Sequence, residues 1–260
     1  MGMLVLRVQK PTRELSVKEI ISLSFSLYKS NFIVFLIPAL AEGVVSGIWQ
    51  IMGGYIVANF AALTRGVFTS FFWNLLMNLI PVLFVSNPVS SMATIPLRGV
   101  CVKYASDLLS EGHADIRKTL GLIRHKLVSL LAVAIVTSVL MAVGFLAFIV
   151  PCVILALMFY LVVPVVIIED VGVLDSLSRS RRLVSKRWRK TAYLLISSGI
   201  YAAVVLSLFR SLGGRLGFVY SGFLGYIASA FFTPIIPISV TIYYYSMLAR
   251  EQQNATIAPT

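Results

Sequence analysis

Residues 127–190 read LVSLLAVAIVTSVLMAVGFLAFIVPCVILALMFYLVVPVVIIEDVGVLDSLSRSRRLVSKRWRK, and this stretch decides the fold. Leu127 to Ile168 is 42 residues without a charge. At 1.5 Å per residue it makes about 63 Å of helix, enough for two passes through a bilayer core of about 30 Å. Gly144 and Pro151 mark the turn between the passes. Glu169 and Asp170 end the apolar run, and a segment dense in Arg and Lys (Arg179, Arg181, Arg182, Lys186, Arg187, Arg189, Lys190) leads to another apolar run from Thr191. The pattern is a helical hairpin, a basic surface helix, and a further span.

Working outward, 58% of the 260 residues are apolar and 12% charged, against roughly 25% charged in soluble domains. The expected architecture is all-α: one polytopic membrane bundle over residues 1–250, with a disordered tail at 251–260. No polar segment is long enough for a separate catalytic domain. The net charge of +12 does not indicate nucleic acid, because the cations fall between apolar runs and not on a soluble face. With the N-terminus inside, every Arg and Lys except Arg65, Arg210 and Arg215 lies on one side, Arg98 included. By the positive-inside rule this predicts a multi-pass cell-membrane protein with both termini cytoplasmic and an even number of spans. An Ala39-Leu40-Ala41 sequence resembles a signal-cleavage site, but the 31 residues before Phe32 are amphipathic and apolar sequence continues past it.

Three amphipathic segments precede spans. Ser16 and Glu19 have capping-box spacing at the head of the first, with Ile20, Leu23, Leu27 and Tyr28 on one face. In the second, Ile116, Leu120, Ile123 and Leu127 oppose Arg117, Lys118, Arg124 and Lys126. The third runs from Asp175 to Lys190. Spans are expected from Phe32 to about Tyr55, Val89 to Leu109, two within 127–168, Thr191 to Phe209, and on to about Ala249. Val67 to Val85 reads as a kinked outer helix and Ser211 to Gly225 as an outer loop. Offsets of 95 and 61 align Ile21 with Ile116 and Leu177, Tyr28 with Ile123 and Val184, and Phe32 with Leu127 and Trp188. Phe25, Leu120 and Arg181 form a column broken by its last member. The chain thus reads as three units, about 15–109, 113–170 and 174–249, each a surface helix plus a hairpin.

The same offsets put Glu42, Thr137 and Ser198 in one column about ten residues into each outward span. Glu42 is the only acid deep in the membrane, which requires a partner, a cavity or a proton. It is either a functional polar site shared with Thr137 and Ser198 or a satisfied structural carboxyl. Arg181 either snorkels to a phosphate or pairs with Glu169 or Asp170, the two acids expected to form local ion pairs. Cys101 and Cys152 lack neighbours for a metal set, and no nucleophile–base–orienter constellation is present.

The run Phe159 to Val173, with its Pro164, Glu169, Asp170 and Gly172, followed by Ser176-Leu177-Ser178-Arg179-Ser180 and Trp188-Arg189, resembles the membrane domain found beside glycerophosphoryl diester phosphodiesterases. Pro96-Leu97-Arg98-Gly99, Glu111-Gly112 and Thr241-Ile242-Tyr243-Tyr244-Tyr245 are similar to it as well. The resemblance implies a six-span membrane domain; it does not imply diesterase activity, because the soluble barrel that carries that chemistry has no counterpart in this sequence. His113 and His125 supply no paired metal ligands.

The expected function is non-enzymatic engagement of anionic lipid by the basic helices, through Arg179, Arg181, Arg182, Lys186, Arg187, Arg189, Lys190, Arg117 and Lys118, in a lipid-handling, scaffold or membrane-homeostasis role. Partners are membrane lipids and a possible membrane protein. No cofactor or metal is expected. The alternative is a small transporter or channel with its polar site at Glu42, Thr137 and Ser198.

Overall fold

The computed structural model describes residues 10–64, 87–147, 149–185, 187–215 and 221–257, and these contain eleven helices and no strand. They are α1 (Val17–Ser30), α2 (Phe32–Thr64), α3 (Asn87–Ser110), α4 (Ile116–His125), α5 (Leu127–Ala147), α6 (Ile149–Met158), α7 (Val162–Ile168), α8 (Val173–Ser185), α9 (Trp188–Arg215), α10 (Ser221–Ser229) and α11 (Ile235–Ile257). Among the described residues, four segments are long and apolar enough to cross a membrane: Phe32–Tyr55, Leu127–Ala147, Val150–Ile168 and Trp188–Leu212. Their outer faces carry bare apolar rows, such as Ile196, Ile200, Val204 and Leu208 on α9, each more than half exposed. Such rows are the mark of a membrane-embedded chain.

Local chemistry sets the helix starts. Ser16 caps α1 through a complete capping box, its Oγ accepting from the Glu19 N–H while Glu19 accepts from the Ser16 N–H at 2.7 Å. Asp115 caps α4 by accepting from the Arg117 and Lys118 N–H groups. Each surface helix stops within one or two residues of the next helix. Asn31 separates α1 from α2, Lys126 separates α4 from α5, and residues 186–187 separate α8 from α9. The long helices therefore begin at Phe32, Leu127 and Trp188, positions related by the sequence offsets of 95 and 61.

Two helices are interrupted. Between α6 and α7, residues 159–161 form a turn that Ser180 of α8 satisfies, donating to Met158 O at 2.6 Å and accepting from the Leu161 N–H at 3.2 Å. Between α10 and α11, residues 230–234 break the helix, and the Phe231 and Phe232 carbonyls accept the hydroxyls of Tyr28 and Tyr201. Both breaks persist because protein hydroxyls satisfy the freed backbone groups.

The core gathers on α11, where Ile238, Ile242, Tyr243 and Tyr244 are fully buried against α1, α3 and α7. Three consecutive tyrosines tie α11 to separate parts of the chain. Tyr243 shares a hydrogen bond with Thr191 (2.7 Å), Tyr244 donates to Glu169 (2.8 Å), and Tyr245 meets Ser106 (2.7 Å).

Several expectations need correction. The third basic segment is not one helix: α8 ends at Ser185 and α9 starts at Trp188. The tail expected to be disordered is helical to Ile257, because Glu251 is held by Arg179 and Gln253 donates to Thr12 O. α2 runs past Tyr55 to Thr64, and α9 extends to Arg215 where an outer loop was expected. The outer helix expected over 67–85 lies outside the described residues.

Candidate functional site

Most of the expected site residues lie at the basic end of the bundle. Arg179 donates through Nε to both carboxylate oxygens of Glu169 (3.0 Å) and through its Nη atoms to Glu251 (2.8 and 2.6 Å). Glu14 accepts from Arg187 (3.0 Å) and Lys190 (2.9 Å), with Arg250 at 3.4 Å. Burial pushes the Glu14 carboxyl up, but the bonds from Lys190 and Arg187 outweigh it and hold the group below the usual carboxylate range. Arg179, Arg187 and Lys190 are thus spent on internal acids. Arg181, expected either to snorkel to a phosphate or to pair with Glu169 or Asp170, is exposed and pairs with neither acid; it sits two residues beyond Arg179, which holds Glu169.

Arg181, Arg182, Arg189, Arg117, Lys118 and Arg124 are exposed, and none has an ion pair among the described residues. Lys186 lies outside them. Beside these cations stand exposed apolar side chains: Ile116 (43%) and Leu120 (53%) on α4 and Leu174 (75%) on α8. Phe25, Leu120 and Arg181, the column broken in sequence, are alike in facing outward. Sequence reasoning missed a second column at the same offsets: Ser24, Thr119 and Ser180 are all fully buried. Three small hydroxyl residues at matching positions were the available signal.

The second candidate is deeper. Glu42 lies ten residues into α2, about 15 Å along its axis, and Arg98 lies twelve residues before the end of α3, about 18 Å from it. The Arg98 Nε donates to Glu42 Oε1 at 2.7 Å. Arg98, counted in the sequence among the cations of the inner side, is the ion-pair partner of Glu42. The Glu42 side chain is 7% exposed and that of Arg98 52%. Both line a cavity of about 120 Å³ with Ser46, Tyr201, Ser229 and Thr233, beside the break between α10 and α11. Close packing of α2 on α10 shapes one wall: a Cβ on Gly43 would lie 2.9 Å from Tyr226 O and from Ala230 Cβ.

The expected trio does not assemble. The Thr137 hydroxyl donates to Val133 O at 2.6 Å and the Ser198 hydroxyl to Leu195 O at 2.9 Å, each on its own helix. Ser198 lines a separate apolar slot of about 160 Å³ with Phe25, Leu194 and Ile235. Cys101 and Cys152 are free thiols, and no group of three or more His, Cys, Asp or Glu able to hold a metal occurs among the described residues.

Residues 116–242 match a domain of unknown function (DUF7847), a span that opens at α4 and closes within α11. Comparison with curated proteins and with solved structures gives no match.

Proposed function

We propose that the chain is a non-enzymatic integral membrane protein that engages anionic lipid through the exposed cations of its surface helices. The observation that carries this reading is the partition of the basic residues. After the acids have taken Arg179, Arg187 and Lys190, the remaining cations Arg117, Arg124, Arg181, Arg182 and Arg189 stand exposed beside exposed Ile116, Leu120 and Leu174. A short helix with bare apolar side chains flanked by arginine suits the boundary between headgroups and acyl chains. Each such cation is worth about 1 kcal/mol against an anionic leaflet.

In this reading the bundle has six spans: α2, α3, α5, α6 with α7, α9, and α10 with α11. The more polar α3 and α11 are tolerated because neighbouring helices surround them. Three repeated units are supported by the matching starts of α2, α5 and α9 and by the buried Ser24, Thr119 and Ser180. Both termini lie in the cytoplasm, the side on which the surface helices gather. The resemblance to the membrane domain of glycerophosphoryl diester phosphodiesterases fits this architecture and carries no diesterase chemistry. A transport path through Glu42, Thr137 and Ser198 loses support, since the last two hydroxyls are spent within their own helices.

Native mass spectrometry of the detergent-extracted protein tests the proposal. Wild type retains anionic phospholipid, and reversal of Arg181, Arg182 and Arg189 to Glu lowers retention at least tenfold. Unchanged retention in the reversed variant refutes it.

A further inference from the structure

The geometry points to the cavity between α2, α3, α9 and α10 as a binding site for a zwitterionic group, an ammonium joined to an oxyanion, held between Glu42 and Arg98. This site is independent of the surface-helix reading and draws on none of its residues. The first ground is what the ion pair leaves unused. Only Arg98 Nε and Glu42 Oε1 meet, and among the described residues neither Nη atom of Arg98 nor Oε2 of Glu42 has a hydrogen-bond partner. A guanidinium presents a fork of donors suited to a phosphate or carboxylate, and a carboxylate oxygen accepts from an ammonium.

The second ground is charge balance. Glu42 and Arg98 sum to zero, so a ligand of net charge would bring an unpaired charge into a low-dielectric site, whereas a zwitterion brings none. The third is the lining. Ser46 adds a hydroxyl, and Tyr201, Ser229 and Thr233, whose protons go to Phe232 O, Tyr226 O and Ser229 O, add acceptor oxygens that suit an ammonium, in a cavity of about 120 Å³ with room for several waters or for the two charged ends of one small group. The apolar slot of about 160 Å³ shares Tyr201 and Ile236 with the cavity as walls, which gives the chain of a lipid somewhere to lie. The same zwitterion chemistry reaches the site from a phosphatidylethanolamine headgroup or from a free amino acid in water.

The test uses the full chain in mild detergent, with four variants: Glu42→Gln, Arg98→Gln, Ala202→Phe, and the triple reversal of Arg181, Arg182 and Arg189 to Glu. Ala202 lines the cavity, so Phe there fills it while leaving both charges in place. One arm offers phosphatidylethanolamine and phosphatidylglycerol of identical chains and counts retained lipid by native mass spectrometry. The other titrates glycine calorimetrically.

The expected result is retention of phosphatidylethanolamine that falls at least tenfold in the three cavity variants and is unchanged in the triple reversal, while retention of phosphatidylglycerol is unchanged in the cavity variants. Glycine binding abolished by the same three variants also supports the site and assigns it to a water-borne ligand. Equal loss of both lipids in the cavity variants, undiminished binding in Ala202→Phe, loss confined to the triple reversal, or no binding in either arm overturns it. Loss confined to the triple reversal would leave the surface reading standing. Should Glu42→Gln or Arg98→Gln fail to fold, Ala202→Phe alone decides.

Discussion

Lys126 places its ammonium 2.8 Å from Asp170, and the two are opposites in exposure, 5% against 81%. The lysine is not a surface cation at all. Its other two N–H groups go to Val166 O (2.8 Å) and Ile167 O (3.2 Å), so three donors meet three acceptors and the last turn of α7 is closed from outside. Asp170 holds its place in the left-handed region, with φ of 55°. Lys126→Met strands two buried carbonyls and is expected to cost about 1–3 kcal/mol. Asp170→Asn, which still tolerates that backbone and leaves both carbonyl bonds, is expected to cost less. Thermal unfolding in detergent gives the order; equal losses would mean that the carbonyl bonds contribute nothing.

Acid sensitivity follows from the same end of the bundle. Asp170 is held below its usual range by the hydrogen bond and charge of Lys126, and Glu251 by the hydrogen bond from Arg179. Glu14 is lowered as well. A carboxyl depressed in the folded state adds stability above its unfolded value, about 4, and that stability is lost as pH falls through the folded value. The unfolding temperature is therefore expected to hold level from pH 7 to about 5 and to fall below about 4. Combining Glu14→Gln, Asp170→Asn and Glu251→Gln should flatten that acid limb, and an unchanged limb would place the titration elsewhere.

What the sequence disclosed, and what it did not, follows from the range of the interactions. The starts of α1, α2 and α5 were legible because caps and hydropathy steps act within a turn or two: Ser16 with Glu19, the step from Asn31 to Phe32, and that from Lys126 to Leu127; the start of α9 was not, since Trp188 stands among cations that read as one helix to Lys190. The partner of Glu42 was not legible, because it lies 56 residues away and Arg98 counts only as one more inner-side cation until packing brings the two helices together. Glu251 was misread for the same reason: nothing near it in sequence explains an ordered tail, whereas Arg179 is 72 residues away. Thr137 and Ser198 show the converse error, since a column of polar residues at equal offsets does not place them in one cavity.

The three tyrosines of α11 make unequal bonds, and this is measurable. Tyr244 donates to a carboxylate, whereas Tyr243 and Tyr245 meet the hydroxyls of Thr191 and Ser106. Hydrogen bonds to charged groups are the stronger class. Tyr244→Phe is expected to cost about 1–3 kcal/mol, and Tyr243→Phe and Tyr245→Phe about 1 kcal/mol each. Unfolding temperatures in the reverse order would show that Arg179 alone satisfies Glu169.

Gly43 and Gly54 lie on the same helix and predict opposite outcomes. A Cβ at Gly43 meets Tyr226 O and Ala230 Cβ at 2.9 Å, so α2 and α10 must separate to admit it. At Gly54 nothing lies within 4 Å. Gly43→Ala is expected to lose about 1–3 kcal/mol through overpacking, and Gly54→Ala to be neutral or gain up to about 1 kcal/mol from helix propensity. A Gly43→Ala protein as stable as wild type would mean that the two helices pack more loosely than the structure shows.

Arg179 and Arg181 sit two residues apart on α8 and divide structure from surface. The Arg179 side chain is 16% exposed between Glu169 and Glu251, so its loss leaves two partly buried carboxylates facing each other without a cation. Arg179→Gln is expected to cost about 1–3 kcal/mol, less than the roughly 3–5 kcal/mol of breaking a fully buried pair because the Glu251 side chain is 45% exposed, and to loosen the end of α11. Arg181→Gln, on an exposed side chain with no ion pair among the described residues, is expected to leave unfolding within about 0.5 kcal/mol of wild type while lowering retention of anionic lipid. Limited proteolysis after Arg250 reads the first effect and native mass spectrometry the second. If Arg181→Gln destabilises the fold as much as Arg179→Gln, the arginines of α8 are all structural and the lipid surface must be sought on α4.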